Sequence, residues 1–266
     1  MTSPFSSEHI NAALQTAVPG LTIEVVAETG STNADLLARV DRLRAPVLLV
    51  AQQQSAGRGR AGRLWHSAAG SSLTFSLAWR FRLPVQGLVG LPLAVGVALA
   101  EALAGLAIPV QLKWPNDVFS DGRKLAGILI ETAHGKQADS PLWAVIGVGI
   151  NLHVSTALAQ QVGQPIAGLS GLAEAFDRNV LMAALLDRLC LTLQEFEQYG
   201  FSAFRARWNA LHLHRGQQVT IVDHGQTVVT GAAHGVDEQG RLLIDTAHGR
   251  SAVLAGDVSL RMVGAA

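Results

Sequence analysis

A chain of 266 residues has room for one large domain and a small one. Its make-up, 49% hydrophobic and 15% charged, is that of a soluble protein with a sizeable core. The 20 basic and 20 acidic side chains cancel, so no bulk field draws the chain to nucleic acid or to an anionic membrane. Residues 1–20 carry neither a basic start nor a continuous apolar run, which excludes a secretory signal there. Cys190 is the lone cysteine; it allows no intrachain disulfide, suits a reducing cytoplasm, and lies in a helical pattern that predicts core packing. Residues 88–110 are apolar, but Pro92 and Glu101 interrupt them and Ala and Gly dominate, so they read as a buried helix and not a membrane span.

In chain order, residues 23–27 read as a strand. Ser31-Thr32-Asn33-Ala34-Asp35 then opens a helix with a capping arrangement. Leu36, Leu37, Val40 and Leu43 give that helix an apolar face, and Pro46 is expected to end it. Residues 47–50 form a strand, and residues 71–79 alternate at period two as another. Residues 110–114 read as a strand, Pro115-Asn116-Asp117 as a turn, Asp121-Gly122 as a hairpin and 126–131 as its return. A further strand covers 143–152. A long amphipathic helix is expected over 179–199, with Val180, Ala184, Leu185, Leu189 and Phe196 on its apolar face, and a shorter helix over 201–211. From Gln217 onward short alternating segments broken by glycine turns predict a small all-β barrel. The break is expected near residue 213, giving an α+β domain with a mixed sheet over 1–212 and a β domain over 213–266.

The chemistry concentrates in a few places. Gly57-Arg58-Gly59-Arg60-Ala61-Gly62-Arg63-Leu64-Trp65 alternates residues that let the backbone approach a ligand with guanidinium forks that match phosphate or carboxylate. The stretch satisfies G-x-G-x-x-G, yet a strand follows it where a dinucleotide fold needs a helix. A P-loop is excluded because Arg63-Leu64 stand where Lys and Ser/Thr are required, and the H-R-D and D-F-G signatures of kinases are missing. The run therefore reads as a loop that wraps a polyanionic nucleotide. Lysine is scarce: Lys113, Lys124 and Lys136 are the only ones, and two of them fall in motif-like segments.

Ser31-Thr32-Asn33 serves either as a cap or as a set of contacts to a small polar ligand. Lys113-Trp114-Pro115-Asn116-Asp117 leaves an amide and a carboxylate at a strand end, suited to a nucleotide-bound magnesium or to an Asx turn. Lys124 stands at the mouth of an apolar strand thinned by Gly127, and 147–152 repeats the device with Gly147 and Gly149. Two such strands predict an apolar slot with a cation at its open end, fit for a ligand with a hydrophobic body and a carboxylate tip. His212 and His214 have no Cys or carboxylate set near them and are expected to be solvated.

In that order, and with Gln54 added, these segments resemble the biotin–protein ligases over most of the first domain, and the C-terminal segment ending Gly256-Asp257-Val258-Ser259-Leu260-Arg261 resembles that family's SH3-like domain. The resemblance implies a class II synthetase-like catalytic fold and an enzyme that uses ATP and magnesium to make biotinyl-5′-AMP, then passes biotin to one lysine of a biotin carboxyl carrier domain. It implies that Ser31, Thr32, Asn33 and Gln54 hydrogen-bond the ureido head of biotin, and that Arg58, Gly59 and Arg60 lie in the loop that orders over biotin and the adenylate. Gly127 and Lys124 would flank the biotin tail, with Lys124 at the junction of carboxylate and phosphate. Trp65 would stack on adenine; Arg63, Lys113, Asn116, Asn151 and Arg261 would serve the nucleotide. Asp117 would bind magnesium or accept the attacking lysine's proton. The Ser31 motif comes too early for a DNA-binding winged helix ahead of it, so no DNA partner is expected; that family members often pair through the central sheet leaves a homodimer open. The nearest alternative is a lipoate or octanoate attachment enzyme of the same fold, whose usual loop differs from residues 57–65.

Overall fold

The structure, a computed structural model, describes residues 4–135, 141–169, 177–223, 225–256 and 258–263; Lys136 and Asp257 lie outside them. Strand β1 (Thr22–Thr29) pairs in parallel with β2 (Val47–Gln54). Helix α1 (Ser7–Ala13) precedes this pair, and α2 (Thr32–Leu37) lies within the crossover. The remaining strands add antiparallel: β3 (Ser72–Phe81), β4 (Gln111–Lys113), β5 (Asp117–Ser120), β6 (Arg123–His134) and β7 (Leu142–Asn151). The sheet order is β1-β2-β3-β7-β6-β5-β4, the mixed sheet expected of an α+β fold.

Two cores flank this sheet. On one face α3 (Leu91–Gly105) packs with α5 (Arg178–Tyr199), which follows the short α4 (Thr156–Val162), over Leu48, Val50, Leu73, Phe75 and Leu77. The apolar 88–110 stretch is thus a core helix: α3 passes the length and composition test for a membrane span together with the turn before it, but most of its side chains are buried in protein. On the opposite face α2 covers a smaller cluster of Leu36, Leu49, Trp143 and Val145. Cys190 is buried in the larger core, where burial pushes its thiol up to about 12.

A five-stranded antiparallel sheet follows: β8 (Gln218–Asp223), β9 (Gln226–Val236), β10 (Leu242–Thr246), β11 (Gly249–Val253) and β12 (Val258–Met262), in the order β11-β10-β9-β8-β12. Its interior residues Val219, Ile221, Leu242 and Ile244 belong to the same continuous core as α3 and α5. The indole Nε1 of Trp114 donates to the Gly240 carbonyl at 3.1 Å, tying the β4–β5 turn to the small sheet.

Several local expectations change. The helix opened by Ser31 closes at Leu37 and gives way to a 3-10 turn at Val40–Arg42, well before Pro46. The expected helix over 201–211 is a 3-10 turn (Phe201–Phe204) running into α6 (Arg205–Ala210). Of the expected apolar face of α5, Leu185, Leu189 and Phe196 are buried and Ala184 is partly so, but Val180 is 45% exposed and Leu181 takes its place in the buried stripe, which continues through Leu193. His212 and His214 are not solvated. They are buried at the junction of the two sheets, His212 stacked on Trp208 with ring centroids 4.7 Å apart. Burial first, then neighbouring positive groups, lowers each pKa to about 4, so both rings are neutral at pH 7.

Candidate active site

The loop from β2 to β3 crosses one end of the sheet above β6 and β7, and beneath it lies a cavity of about 330 Å³. The loop is shaped by its sequence. Arg60–Gly62 makes a short 3-10 turn, and Gly59 N–H donates to the Arg63 carbonyl at 2.7 Å. Ala61 and Gly62 both take positive φ, +52° and +69°, a conformation that favours glycine and strains alanine. At Gly57 a Cβ would collide with the Trp65 carbonyl, so the loop closes on itself only because the residue has no side chain.

One end of the cavity is polar and deeply buried. Ser31 caps α2, accepting from Ala34 N–H at 3.5 Å, and α2 thereby presents Thr32 and Asn33 to the sheet. Gln54 Oε1 accepts from Thr32 N–H at 2.8 Å and lies 3.1 Å from the Thr32 hydroxyl. Ser76, in mid-β3, donates to Asn33 Oδ1 at 2.6 Å and lies 2.7 Å from the Thr32 hydroxyl. Gly147 makes room for this: a Cβ there would collide with Asn33 Oδ1.

The other end is cationic. Lys124 pairs with Asp117 at 2.7 Å. Arg60 donates from Nη1 to Asn116 Oδ1 at 2.9 Å and from Nη2 to the Gly256 carbonyl of the small sheet. Asn116 in turn donates to the Ile128 carbonyl at 2.7 Å, and Asn151 donates to the Lys124 carbonyl at 3.3 Å. Arg63 lines the same space.

The structure thus gathers Ser31, Thr32, Asn33 and Gln54 at one end of a single cavity, and Arg60, Arg63, Lys124, Asn116, Asp117 and Asn151 towards the other. Arg58, Gly59 and Gly127 line it as well. Lys113 and Arg261 stand outside the lining. Lys113 is half-buried, and its pKa is lowered by desolvation and by Lys124, Arg63 and Arg261, against the pull of Asp117. The apolar slot between β6 and β7 has the expected glycine walls, but the Trp65 indole lies in it: a Cβ at Gly149 would overlap the indole at Cε2, and one at Gly127 would sit 3.3 Å from Cζ3. Its Nε1 is buried with no hydrogen-bond partner among the described residues.

Two polar residues that hydrogen-bond the cavity lining, Ser76 and Glu131, are not among those expected from the sequence. Ser72, Thr74 and Ser76 alternate with apolar residues along β3, yet all three are buried. A polar face that is buried must meet polar partners, which is the signal that points to Ser76. Glu131 closes the glycine-bearing β6 motif, and its only cue is a carboxylate following an apolar run.

Comparison with known proteins agrees with this geometry. Residues 23–151 match the Biotin/lipoate A/B protein ligase family, and residues 214–261 match the Biotin protein ligase C terminal domain. The chain is 37% identical over 240 residues to the bifunctional ligase/repressor BirA of Salmonella typhimurium, spanning 90% of this chain and 74% of that protein. It is 38% identical over 248 residues to the biotin–[acetyl-CoA-carboxylase] ligase of Mycobacterium tuberculosis, spanning 89% and 88%. A solved biotin protein ligase from Aquifex aeolicus, in complex with biotin and ATP, superposes with a TM-score of 0.75 at 29% identity, covering 91% of this chain and 99% of that one. By sequence and by fold, the chain belongs to the biotin protein ligase family.

Proposed function

We propose that the cavity beneath the glycine-arginine loop is where this ATP-dependent biotin–protein ligase joins biotin to AMP and from which it hands biotin to a lysine of a biotin carboxyl carrier domain. The observation that carries this reading is the polarity of the cavity: a buried hydrogen-bonding end and a cationic end share one space. The first suits a cyclic urea. The second suits two anions that must be brought together.

A free carboxylate does not acylate an amine at neutral pH because oxide is a poor leaving group; AMP is a better one. Joining carboxylate to α-phosphate sets two negative groups against each other, and fixed cations in a dry site offset that repulsion far more than water does. Lys124 and Arg60 fill this role, with Arg63 beside them. Asp117 and Asn116 hold these cations before substrate arrives, so little reorganisation remains. Arg58 and Gly59 belong to the part of the loop that covers biotin, Gly127 to the wall of its tail. Asn151, Lys113 and Arg261 serve the nucleotide side. Trp65, expected to stack on adenine, lies against Gly149 and Gly127 within the cavity lining, and we assign its indole to the adenine.

Magnesium enters with ATP. Among the described residues no group of three metal-ligating side chains exists, and Asp117 is a single carboxylate beside a lysine. That donor set fits Mg²⁺ held chiefly by substrate phosphates, with Asp117 as the one protein carboxylate in reach; there the metal supplies further positive charge. In the transfer step a lysine amine must lose a proton, and receiving it is the alternative role we assign to Asp117. We assign catalysis to residues 1–212 and support of the nucleotide side to 213–266.

The test is biotin-dependent exchange of labelled pyrophosphate into ATP, followed by biotin transfer to an isolated carrier domain. Exchange with biotin supports the reading; exchange with lipoate alone would replace it with the lipoate alternative, which the named relatives do not favour.

A further inference from the structure

We propose that Glu131 is a positioning residue that fixes the donor–acceptor sense of the polar end of the cavity and ties the glycine-arginine loop to it. This rests on the biotin reading above. Glu131 lies on β6 with its side chain partly exposed. Oε2 accepts from Asn33 Nδ2 at 2.8 Å, and both carboxylate oxygens accept from Arg58 Nη2, at 2.6 and 2.5 Å.

Proton counting gives the consequence. An amide has a donor end and an acceptor end, and a hydroxyl has one proton. Asn33 Nδ2 faces two pure acceptors, the Glu131 carboxylate and the Leu129 carbonyl at 3.3 Å, so its orientation is forced. Asn33 Oδ1 therefore accepts, and takes the Ser76 proton. The Ser76 oxygen must then accept from the Thr32 hydroxyl. Two hydroxyl protons serve three contacts, so the shorter two at 2.6 and 2.7 Å take them over the 3.1 Å contact from the Thr32 hydroxyl to Gln54 Oε1, which already accepts from the Thr32 backbone N–H. The Glu131 carboxylate, the nearer and charged of the two acceptors facing Asn33 Nδ2, thus leads in setting the direction of the links from Asn33 to Thr32.

The outcome is a definite pattern. Asn33 Oδ1 and Thr32 Oγ1 keep acceptor lone pairs, while Ser31, which accepts from Ala34, keeps its own proton. A cyclic urea needs acceptors for two N–H groups and donors for one carbonyl, and this is the pattern displayed. If Asn33 turned over, its carbonyl would face the Glu131 carboxylate and the pattern would invert. Arg58 is held by the same carboxylate, so loop closure and pocket polarity share one anchor.

The experiment measures biotin and ATP KM in pyrophosphate exchange, and the release rate of the adenylate, for wild type, Glu131→Gln, Asn33→Asp and the double variant. Glu131→Gln is expected to raise biotin KM about tenfold, leave ATP KM within about twofold and speed adenylate release, as expected for loss of a charged hydrogen-bond partner. Asn33→Asp sets two carboxylates together and is expected to be worse. Adding Glu131→Gln to it supplies a donor opposite the new carboxylate and is expected to recover about tenfold in biotin KM, a rescue that a merely structural role would not give. Ser76→Ala breaks the same chain one link further on and is expected to weaken biotin binding similarly, whatever the solubility of the Glu131 variants. Wild-type biotin KM in Glu131→Gln, no recovery in the double variant, or unchanged binding in Ser76→Ala overturns the proposal. If wild type itself shows no exchange with biotin, the functional reading fails first and this inference falls with it.

Discussion

Acidification from pH 7 to pH 5 should destabilise this protein through two histidines. His212 and His214 are buried at 5% and 6% exposure, and no described residue accepts a hydrogen from either nitrogen of His212. Their rings lie edge to face with centroids 6.4 Å apart, with Arg215 close to His212 and Lys113 close to His214, so a proton on either ring is repelled by a positive neighbour. The folded pKa of each is lowered from 6.5 to about 4. The unfolded chain binds these protons first, so the contribution is complete above pH 6.5 and is lost as pH falls towards 4. A shift of this size amounts to about 2 kcal/mol per ring by pH 5 and about 3 kcal/mol by pH 4. Urea unfolding at pH 7, 6 and 5 should therefore show a fall of about 4 kcal/mol. A variant carrying His212→Phe and His214→Phe, which keeps ring volume but has no proton site, should lose much less over the same range. A wild-type fall below about 1 kcal/mol, or equal falls in both proteins, refutes the argument.

Three further outcomes follow from the site and the core. Arg60→Gly removes the guanidinium that spans Asn116 and Gly256; adenylate release should rise and diffusing adenylate should label lysines indiscriminately, read by dissociation rate and by labelling of a bystander protein. Gly149→Ala drives a methyl into the Trp65 indole, so it should cost about 1–3 kcal/mol in urea unfolding, and Trp65→Ala in the same background should return most of that loss. Cys190, with its thiol pushed to about 12 and buried, should resist a disulfide reagent in the native protein at pH 8 and react at once in urea; rapid native labelling would contradict its placement.

The elements that read well from the sequence are those whose signal is local. The period-two run through residues 71–79 became β3, Asp121-Gly122 became the β5–β6 hairpin, and Ser31 became a true N-cap. Most of the candidate residues line one cavity because motifs far apart in sequence sit at one end of the large sheet; Lys113 and Arg261 fall outside its lining. What was illegible depends on tertiary contact. His212 and His214 carry no sequence cue to burial; Trp208 and the small sheet bury them. Val180 fits the helical period but sits one step outside the packed stripe, since α3 and α1 decide which face of α5 is covered. Ser76 looks like an ordinary strand serine until Asn33 is brought against it, and Glu131 looks like a solvated strand end until Arg58 folds over. Trp65 in the glycine slot was hidden too, because one indole can serve as wall or as plug with no change of sequence.

The hydrogen bond from Trp114 to Gly240 has a consequence for anyone collecting inactive alleles. Trp114 lies two and three positions before Asn116 and Asp117, and Gly240 holds a φ of +74° with Leu93 2.8 Å from where its Cβ would be. A substitution at Gly240, remote in sequence from Asn116 and Asp117, would tilt the indole and with it the turn that carries them. Such alleles would look like lesions of chemistry in a growth screen, although Gly240 does not line the cavity.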